Sequence, residues 1–301
     1  MSKDDLDHAI RNGLDAKHTP SEDEIVASAK ALEAAVREKA AMHEPPWPEN
    51  CFTWIVPYFK HFCYPDPLGP KTMADDLGMI RTSLKSGQVT AVQGLTPMIE
   101  DWEGKARDSF YDNFLVPFPD AVNNQIEVVD ELRLSMWAYE NILRSGRIDA
   151  KKLLDETKKV VDSYDGDKAA KTQFFLVIVG SIAGVMKDWG AGAYRLGLSL
   201  VNGSATGAKG AHEYSQSISG KTVSEIFQSF INAAQELRPL MDEQEQTLAD
   251  ALSSSNGTVD GYLNSSNPKT LMTLLPNEPE TGPAIIDGKP NDTKEFRPPY
   301  L

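Results

Sequence analysis

The feature that most constrains this chain is a pair of apolar stripes separated by a short polar break. The first stripe recurs at three- and four-residue spacing with a polar interruption at Gln88, and it consists of Met73, Leu77, Ile80, Leu84, Ala91, Leu95 and Met98. The second consists of Val122, Ile126, Val129, Leu132, Met136, Tyr139 and Leu143. Such spacing is typical of one face of an amphipathic α-helix. Two helices joined by a short turn must run antiparallel if each is to bury its stripe against the other.

The break between the stripes is residues 101–106, Asp-Trp-Glu-Gly-Lys-Ala, followed by Phe110 and Phe114. Gly104 suits a tight turn because glycine adopts positive φ at little cost and allows close backbone approach. Trp102 offers a large apolar ring with one N–H group that needs a partner. At the tip of a helical hairpin this ring would either close the end of the core or enter a groove on another helical protein.

Trp102-Glu103-Gly104 between two helical stripes, followed by Ala106 and Phe110, resembles the Trp-x-Gly family of type VII (ESX) secretion substrates, the early secreted antigen-like proteins. The resemblance covers roughly residues 72–164. It implies an α-helical hairpin, export through a type VII system, and pairing with another helical protein or a second copy. At 301 residues, the chain is closer to the larger helical substrates of these systems.

The family often carries an export signal, Tyr-x-x-x-Asp/Glu, beyond the second helix. The nearest candidate in this chain is Tyr164 with Asp167, whose acid comes one residue too early. The resemblance therefore implies at most a remnant of that signal at Tyr164 and Asp167, or a signal carried by a partner.

Charge narrows the range of partners. The chain has 44 acidic and 30 basic residues and a net charge of −14. Long-range electrostatics therefore disfavours nucleic acids and anionic membranes and favours partners with basic surfaces. The first seven residues are mostly charged and form no apolar signal-peptide region. This predicts a secreted or cell-surface protein that leaves by a leaderless type VII route, with cytoplasmic residence as the alternative.

No pattern of catalytic residues stands out. The histidines are scattered, and no Gly-x-Ser-x-Gly elbow is present. Cys51 and Cys63 are the only cysteines. They suit two free thiols, a disulfide in an oxidising compartment, or a metal site with His61 that would lack a fourth ligand at zinc-type spacing. We expect no enzymatic activity, no cofactor and no metal.

The pattern as a whole predicts an all-α, elongated helical bundle. Its expected parts are a flexible lead-in at 1–20, a bundle over 21–255 with its hairpin core at 72–164, an apolar glycine-rich segment at 174–208, a last helix at 222–252 and a proline-rich irregular tail at 256–301. Ser21 and Glu24 have the spacing of a capping box, and so do Thr222 and Glu225 at the start of the last helix. The second hairpin helix is expected to break at Ser145-Gly146, with Asp149 as the N-cap of a further short helix.

Residues 44–70 combine seven prolines with seven aromatic residues. The prolines exclude a long helix, whereas so many aromatic rings are untypical of a disordered linker. The segment is expected either to anchor itself across the bundle by these rings or to present them to a partner.

The segment 174–208 begins with thirteen mostly apolar residues, 174–186. This run is too short for a membrane-spanning helix, which needs about 20 residues. Gly180 and Gly184 form a Gly-x-x-x-Gly face suited to close helix packing. A buried core helix is expected. The alternative functions are a membrane-active or pore-forming protein that inserts 174–208, and an intracellular or phage structural protein.

Overall fold

The computed structural model describes residues 18–88, 90, 92, 94–99, 102–166, 168–176 and 215–263. The described chain is mostly helical, with one antiparallel pair of short strands, which confirms the all-α class in its coarse form. Contacts divide the chain into two compact units. One comprises residues 1–74 and 134–254, and the other comprises residues 75–133 and 255–301.

The helices in chain order are α1 (Glu22–His43), α2 (Ile55–Lys60), α3 (Leu68–Ser83), α4 (Lys105–Phe110), α5 (Phe118–Ser163) and α6 (Val223–Leu263). Short 3-10 turns lie at Glu49–Phe52, His61–Cys63 and Pro97–Ile99, and π-helical turns at Leu84–Gln88 and Tyr111–Leu115. Strands β1 (Ala170–Phe175) and β2 (Ser215–Gly220) pair antiparallel, with Ala170 opposite Gly220.

Helix α1 forms as its sequence predicts. The Glu24 backbone N–H donates to Ser21 Oγ at 3.2 Å, and the Ser21 N–H donates to Glu24 Oε2 at 2.8 Å, which completes the predicted capping box. Its buried residues are Ile25, Ala29, Leu32, Ala35, Val36 and Ala40. They recur at helical spacing, so the apolar face of the sequence is also the packed face.

The proline- and aromatic-rich segment supplies the core of the first unit. Its longest α-helix is the six-residue α2, and Pro57 lies in the first turn, where its missing N–H leaves no hydrogen bond unmade. Phe59 stacks on Phe230 of α6 with ring centroids 5.8 Å apart. The Tyr58 hydroxyl donates to the Ala234 carbonyl on the same helix. These rings hold the segment against α6.

The expected break in the second hairpin helix is wrong. Helix α5 runs without interruption from Phe118 to Ser163, through Gly146. Asp149, predicted as an N-cap, is fully buried inside the helix. Apolar residues on both sides of the expected break are buried, among them Leu143 and Leu153. Their burial outweighs the penalty of about 1 kcal/mol for an interior glycine.

The start of the apolar segment is a strand rather than the expected helix. Phe174 and Phe175 end β1. In this strand Ala170 and Phe174 are buried while Lys171 and Gln173 are exposed, the two-residue alternation that a half-buried strand requires. Residues 177–208, with Gly180 and Gly184, lie outside the described residues. Within the described part of the chain, no helix combines the length and the apolar character needed to cross a membrane.

Helix α6 begins where its capping residues predict and ends later than expected. The Glu225 N–H donates to Thr222 Oγ1 at 3.1 Å, and the Lys221 N–H donates to Glu225 Oε2 at 2.7 Å. The helix continues past the predicted end at 252 to Leu263, so the first eight residues of the expected irregular tail are helical. Weak helix formers cost less than about 1 kcal/mol each and do not by themselves end a helix. Residues 264–301 lie outside the described part.

Candidate functional site

The candidate site begins on α3, whose predicted apolar stripe faces outward. Met73 and Ile80 belong to that stripe and are 55% and 50% exposed, and the neighbouring Met79 is 64% exposed. The buried residues of this helix are Pro70 and Ala74 instead. The prediction that these stripe residues form a core is therefore wrong for Met73 and Ile80.

Two contacts of α3 with α5, in the unit that comprises residues 75–133 and 255–301, involve charged side chains. Arg81 Nε lies 2.8 Å from Asp130 Oδ1 on α5, and both side chains are largely buried. A Cβ atom on Gly78 would lie 3.2 Å from Nε of Arg133, one helical turn farther along α5. The sequence did not predict these contacts, because the spacing of apolar residues says nothing about charged residues that are buried as pairs.

The Trp102 turn lies between these helices in the sequence. Gly104 has a φ of 99°, a conformation that other residues adopt only with strain. The backbone N–H of Trp102 donates to the Ile99 carbonyl at 3.1 Å. The centroids of the Trp102 and Phe110 rings are 6.1 Å apart, and the Trp102 residue is 41% exposed. Trp102 thus packs on an aromatic neighbour and stays partly exposed.

An aromatic row follows the turn. The ring centroids of Phe110 and Phe114 are 5.1 Å apart, and those of Phe114 and Phe118 are 5.6 Å apart. Ahead of the turn, Ile99 is buried, whereas Leu95 and Met98 are exposed. The region around Trp102 therefore combines a fixed aromatic row with accessible apolar side chains.

The same part of the chain is acidic. Residues 75–133 contain eleven acidic and five basic residues. Among the described residues of this range, the exposed acidic ones are Asp76, Glu103, Asp108, Asp112 and Asp120. Arg81 contacts Asp130 at 2.8 Å, and Arg107 contacts Asp108 at 3.0 Å. The exposed apolar residues of this range therefore lie in a part of the sequence that has a net negative charge.

Tyr164, the candidate remnant of an export signal, is buried. Its hydroxyl donates to the Lys221 carbonyl at 2.9 Å, and its own carbonyl accepts a hydrogen bond from Lys39 Nζ at 2.7 Å. The ring meets His43 edge-on at 5.3 Å. Tyr164 therefore connects the end of α5 with α1 and with the start of α6. Asp167 lies outside the described residues.

Cys51 and Cys63 are both free thiols, and no disulfide joins them. Burial raises the pKa of the Cys63 thiol, which lowers its reactivity at neutral pH because the thiolate is the reactive form. The Cys63 carbonyl accepts a 2.6 Å hydrogen bond from Arg147 Nη2. Across the described ranges, no group of three or more His, Cys, Asp and Glu residues is placed to hold a metal ion.

One cluster of titratable groups lies on α6. Arg238 Nε is 2.8 Å from Asp242 Oδ1. Desolvation raises the pKa of the nearby Glu245 carboxyl, and the negative charge of Asp242 adds to that effect. Desolvation also raises the pKa of Tyr139, with a further contribution from Glu245. These shifts follow from packing beside α5 and do not by themselves indicate a reaction.

The geometry therefore singles out the outward face of α3 and the Trp102 turn, both of which suit contact with another macromolecule. Comparison with known proteins adds no relative to this picture: no protein-family model, no curated protein and no solved structure matches the chain.

Proposed function

We propose that this chain is a non-enzymatic, helical interaction protein exported through a type VII (ESX) secretion system. The observation that carries the proposal is the Trp102-Glu103-Gly104 turn. Gly104 has the positive φ that a tight turn demands, and Trp102 packs on Phe110 while keeping part of its ring exposed. These are the positions at which the resemblance to the Trp-x-Gly family places a turn and its supporting aromatic residue.

The finer architecture that we propose is an antiparallel hairpin of α3 and α5 at the centre of an elongated helical bundle. Two contacts support it. Gly78 neighbours Arg133, and three residues later on α3, Arg81 pairs with Asp130, three residues earlier on α5. Two helices are antiparallel when residue numbers rise along one helix and fall along the other from one contact to the next.

The interaction role is supported by five exposed apolar residues, Met79, Ile80, Leu95, Met98 and Trp102. Soluble monomeric proteins rarely leave a large contiguous apolar patch open to water, and such patches commonly mark interaction sites. A tryptophan such as Trp102, which packs on an aromatic neighbour and is partly exposed, is a typical anchor in protein interfaces.

Fractionation of the native host tests the export part. The chain would be followed by immunoblotting in the culture medium, cell-surface and cytosolic fractions, with and without a working type VII ATPase. We expect ATPase-dependent appearance outside the cell. Retention in the cytosol under both conditions, with a known substrate of the same system exported, would refute the export proposal.

A pair of tryptophan variants tests the role of the turn. We expect Trp102→Ala to reduce export or partner binding strongly while shifting the melting temperature little, because the ring is partly exposed. Trp137→Ala is the matched control, since Trp137 is 2% exposed and its truncation should cost about 3–5 kcal/mol of folding free energy. Equal losses of stability in the two variants would identify Trp102 as an ordinary core residue.

A further inference from the structure

The segment 44–48, Glu-Pro-Pro-Trp-Pro, follows α1 in an extended conformation. Three of its residues precede a proline, which disfavours the α-helical region for Glu44, Pro45 and Trp47. Each proline also has its own φ held at about −65°. Glu44 has φ −136° and ψ 164°, and Pro48 has φ −56° and ψ 136°. The angles of Pro48 are close to those of a polyproline II helix.

One edge of this segment is fixed to the body of its unit. A polyproline II helix has about three residues per turn, so residues three apart lie on the same edge. Glu44 and Trp47 are three apart, and Trp47 Nε1 donates to Glu44 Oε2 at 2.9 Å. The backbone N–H of Ser224 donates to Glu44 Oε1 at 2.9 Å. The Trp47 ring centroid lies 5.7 Å from that of Phe52 and 5.7 Å from that of Phe227. The edge that carries Glu44 and Trp47 therefore packs against the protein.

The edge that carries Pro45 and Pro48 is on a different side of the segment. Both prolines are exposed, and so is Pro46. The Cys51 N–H donates to the Pro48 carbonyl at 3.1 Å, which fixes the end of the segment. An extended proline edge that is already fixed loses little conformational entropy when it binds.

We propose that Pro45 and Pro48 form a docking edge for a protein domain with an aromatic-lined groove, of the kind that binds polyproline II segments. Such grooves recognise two prolines with two residues between them, which is the spacing of Pro45 and Pro48. The two proline rings would lie between aromatic side chains of the groove, while Trp47 stays packed on its own chain. The docking edge does not involve Trp102 or α3, so the inference is independent of the proposed function.

Two purified domains with such grooves serve as probes, an SH3 domain and a WW domain. Each would be isotope-labelled, titrated with the unlabelled full chain and followed by two-dimensional NMR. We expect chemical-shift changes confined to the aromatic groove of at least one domain. An excess of decaproline peptide, which occupies the same groove, should displace the chain.

Proline variants separate a docking edge from a merely structural connection. Replacing both Pro45 and Pro48 with Ala should weaken binding by about tenfold or more, because a buried apolar ring contributes on the scale of a power of ten in affinity. Pro57→Ala is the matched control, since Pro57 is exposed but lies on α2, outside the segment. Circular dichroism would confirm that each variant is folded. If the double variant unfolds, the single variants Pro45→Ala and Pro48→Ala carry the test.

Three outcomes would overturn the proposal. One is the absence of binding to both domains. Another is binding that decaproline does not displace. The third is equal affinity of the natural chain and of folded variants at Pro45 and Pro48, or an equal loss in Pro57→Ala. Each can be observed whether or not export depends on the type VII ATPase, so failure here is distinct from failure of the proposed function.

Discussion

Helices α1 and α3 carry apolar stripes of the same kind, yet the structure treats them oppositely. On α1 the six apolar residues that recur at helical spacing are the buried residues of the helix. On α3 the stripe residues Met73 and Ile80 are exposed, and the buried positions are Pro70 and Ala74. Both helices have apolar residues at regular helical spacing, and they differ in which of their residues other parts of the chain cover.

The periodicity of apolar residues in a sequence therefore identifies an apolar face of a helix without identifying what covers that face. The face of α1 is covered by the rest of its own unit, as the hydrogen bond from Ser28 Oγ to Asp155 Oδ1 at 2.8 Å illustrates. The inward side of α3 is instead filled by a small residue, Ala74, and by the Arg81–Asp130 pair. An exposed stripe with helical spacing is what a surface for another helix would look like.

The largest expected effect comes from two neighbouring residues on α3. Ala74→Asp places a charge at a fully buried position, and we expect it to cost about 3–5 kcal/mol of the free energy of unfolding. Met73→Asp, one residue earlier, should cost about 0.5 kcal/mol or less, because its side chain is already in water. Urea denaturation followed by tryptophan fluorescence would measure both. A larger loss in Met73→Asp would mean that the predicted stripe is the buried face after all.

A second pair compares the two stripes directly. Leu32 on α1 is fully buried, and Leu32→Ala should lower the free energy of unfolding by about 2–5 kcal/mol. Ile80→Ala on α3 should change it by less than about 1 kcal/mol, because half of that side chain is exposed. Thermal unfolding monitored by circular dichroism gives both values. Similar losses in the two variants would remove the contrast on which the proposed partner surface depends.

The polar contact between α3 and α5 can be measured by a double-mutant cycle. Arg81→Ala and Asp130→Ala each leave a largely buried charge without its partner, so each should destabilise the protein by more than a surface pair would. The double variant should recover part of that loss, with a coupling energy of about 1–2 kcal/mol. Additive losses would show that the pair does not join the helices, and the proposed hairpin would lose one of its two supporting contacts.

The parts of the fold that could be predicted are those in which one local signal decides the outcome. The spacing of Ser21 and Glu24 predicted the start of α1, and the spacing of Thr222 and Glu225 predicted the start of α6. In each case the capping partners lie within three residues of one another, so no distant contact is needed to satisfy them.

The parts that could not be predicted depend on distant contacts. The chain stays helical through Gly146 because Leu143 and Leu153 on either side of it are buried by other elements. Phe174 lies in a strand because Gln216, 42 positions later, lies opposite it in β2. At the candidate site, Gly104 of the predicted turn has a positive φ of 99°. The outward orientation of the α3 stripe was missed, since it depends on contacts such as Arg81–Asp130 between residues far apart in the chain.

The smallest expected effect is a pH-dependent change in stability at the N-terminus of α1, which can be compared with the N-terminus of α3. The hydrogen bond from the Ser21 backbone N–H lowers the pKa of Glu24 from its ordinary 4.5 to about 2, and contact with His18 at 3.0 Å adds to the shift. A carboxyl with a depressed folded-state pKa stabilises the folded state above its unfolded pKa. This stabilisation is lost as the pH falls through the interval from about 4.5 to about 2.

Glu24→Gln keeps the shape of the capping box and removes the titration. We therefore expect the melting temperature of the natural chain to exceed that of Glu24→Gln at pH 6 and the difference to shrink steadily towards pH 2.5. Asp66→Asn is the control at the start of α3. There the Leu68 N–H donates to an Asp66 carboxylate at 3.1 Å, but no reciprocal box forms. A pH-dependent difference in Asp66→Asn as large as that in Glu24→Gln would show that the box gives α1 no special advantage.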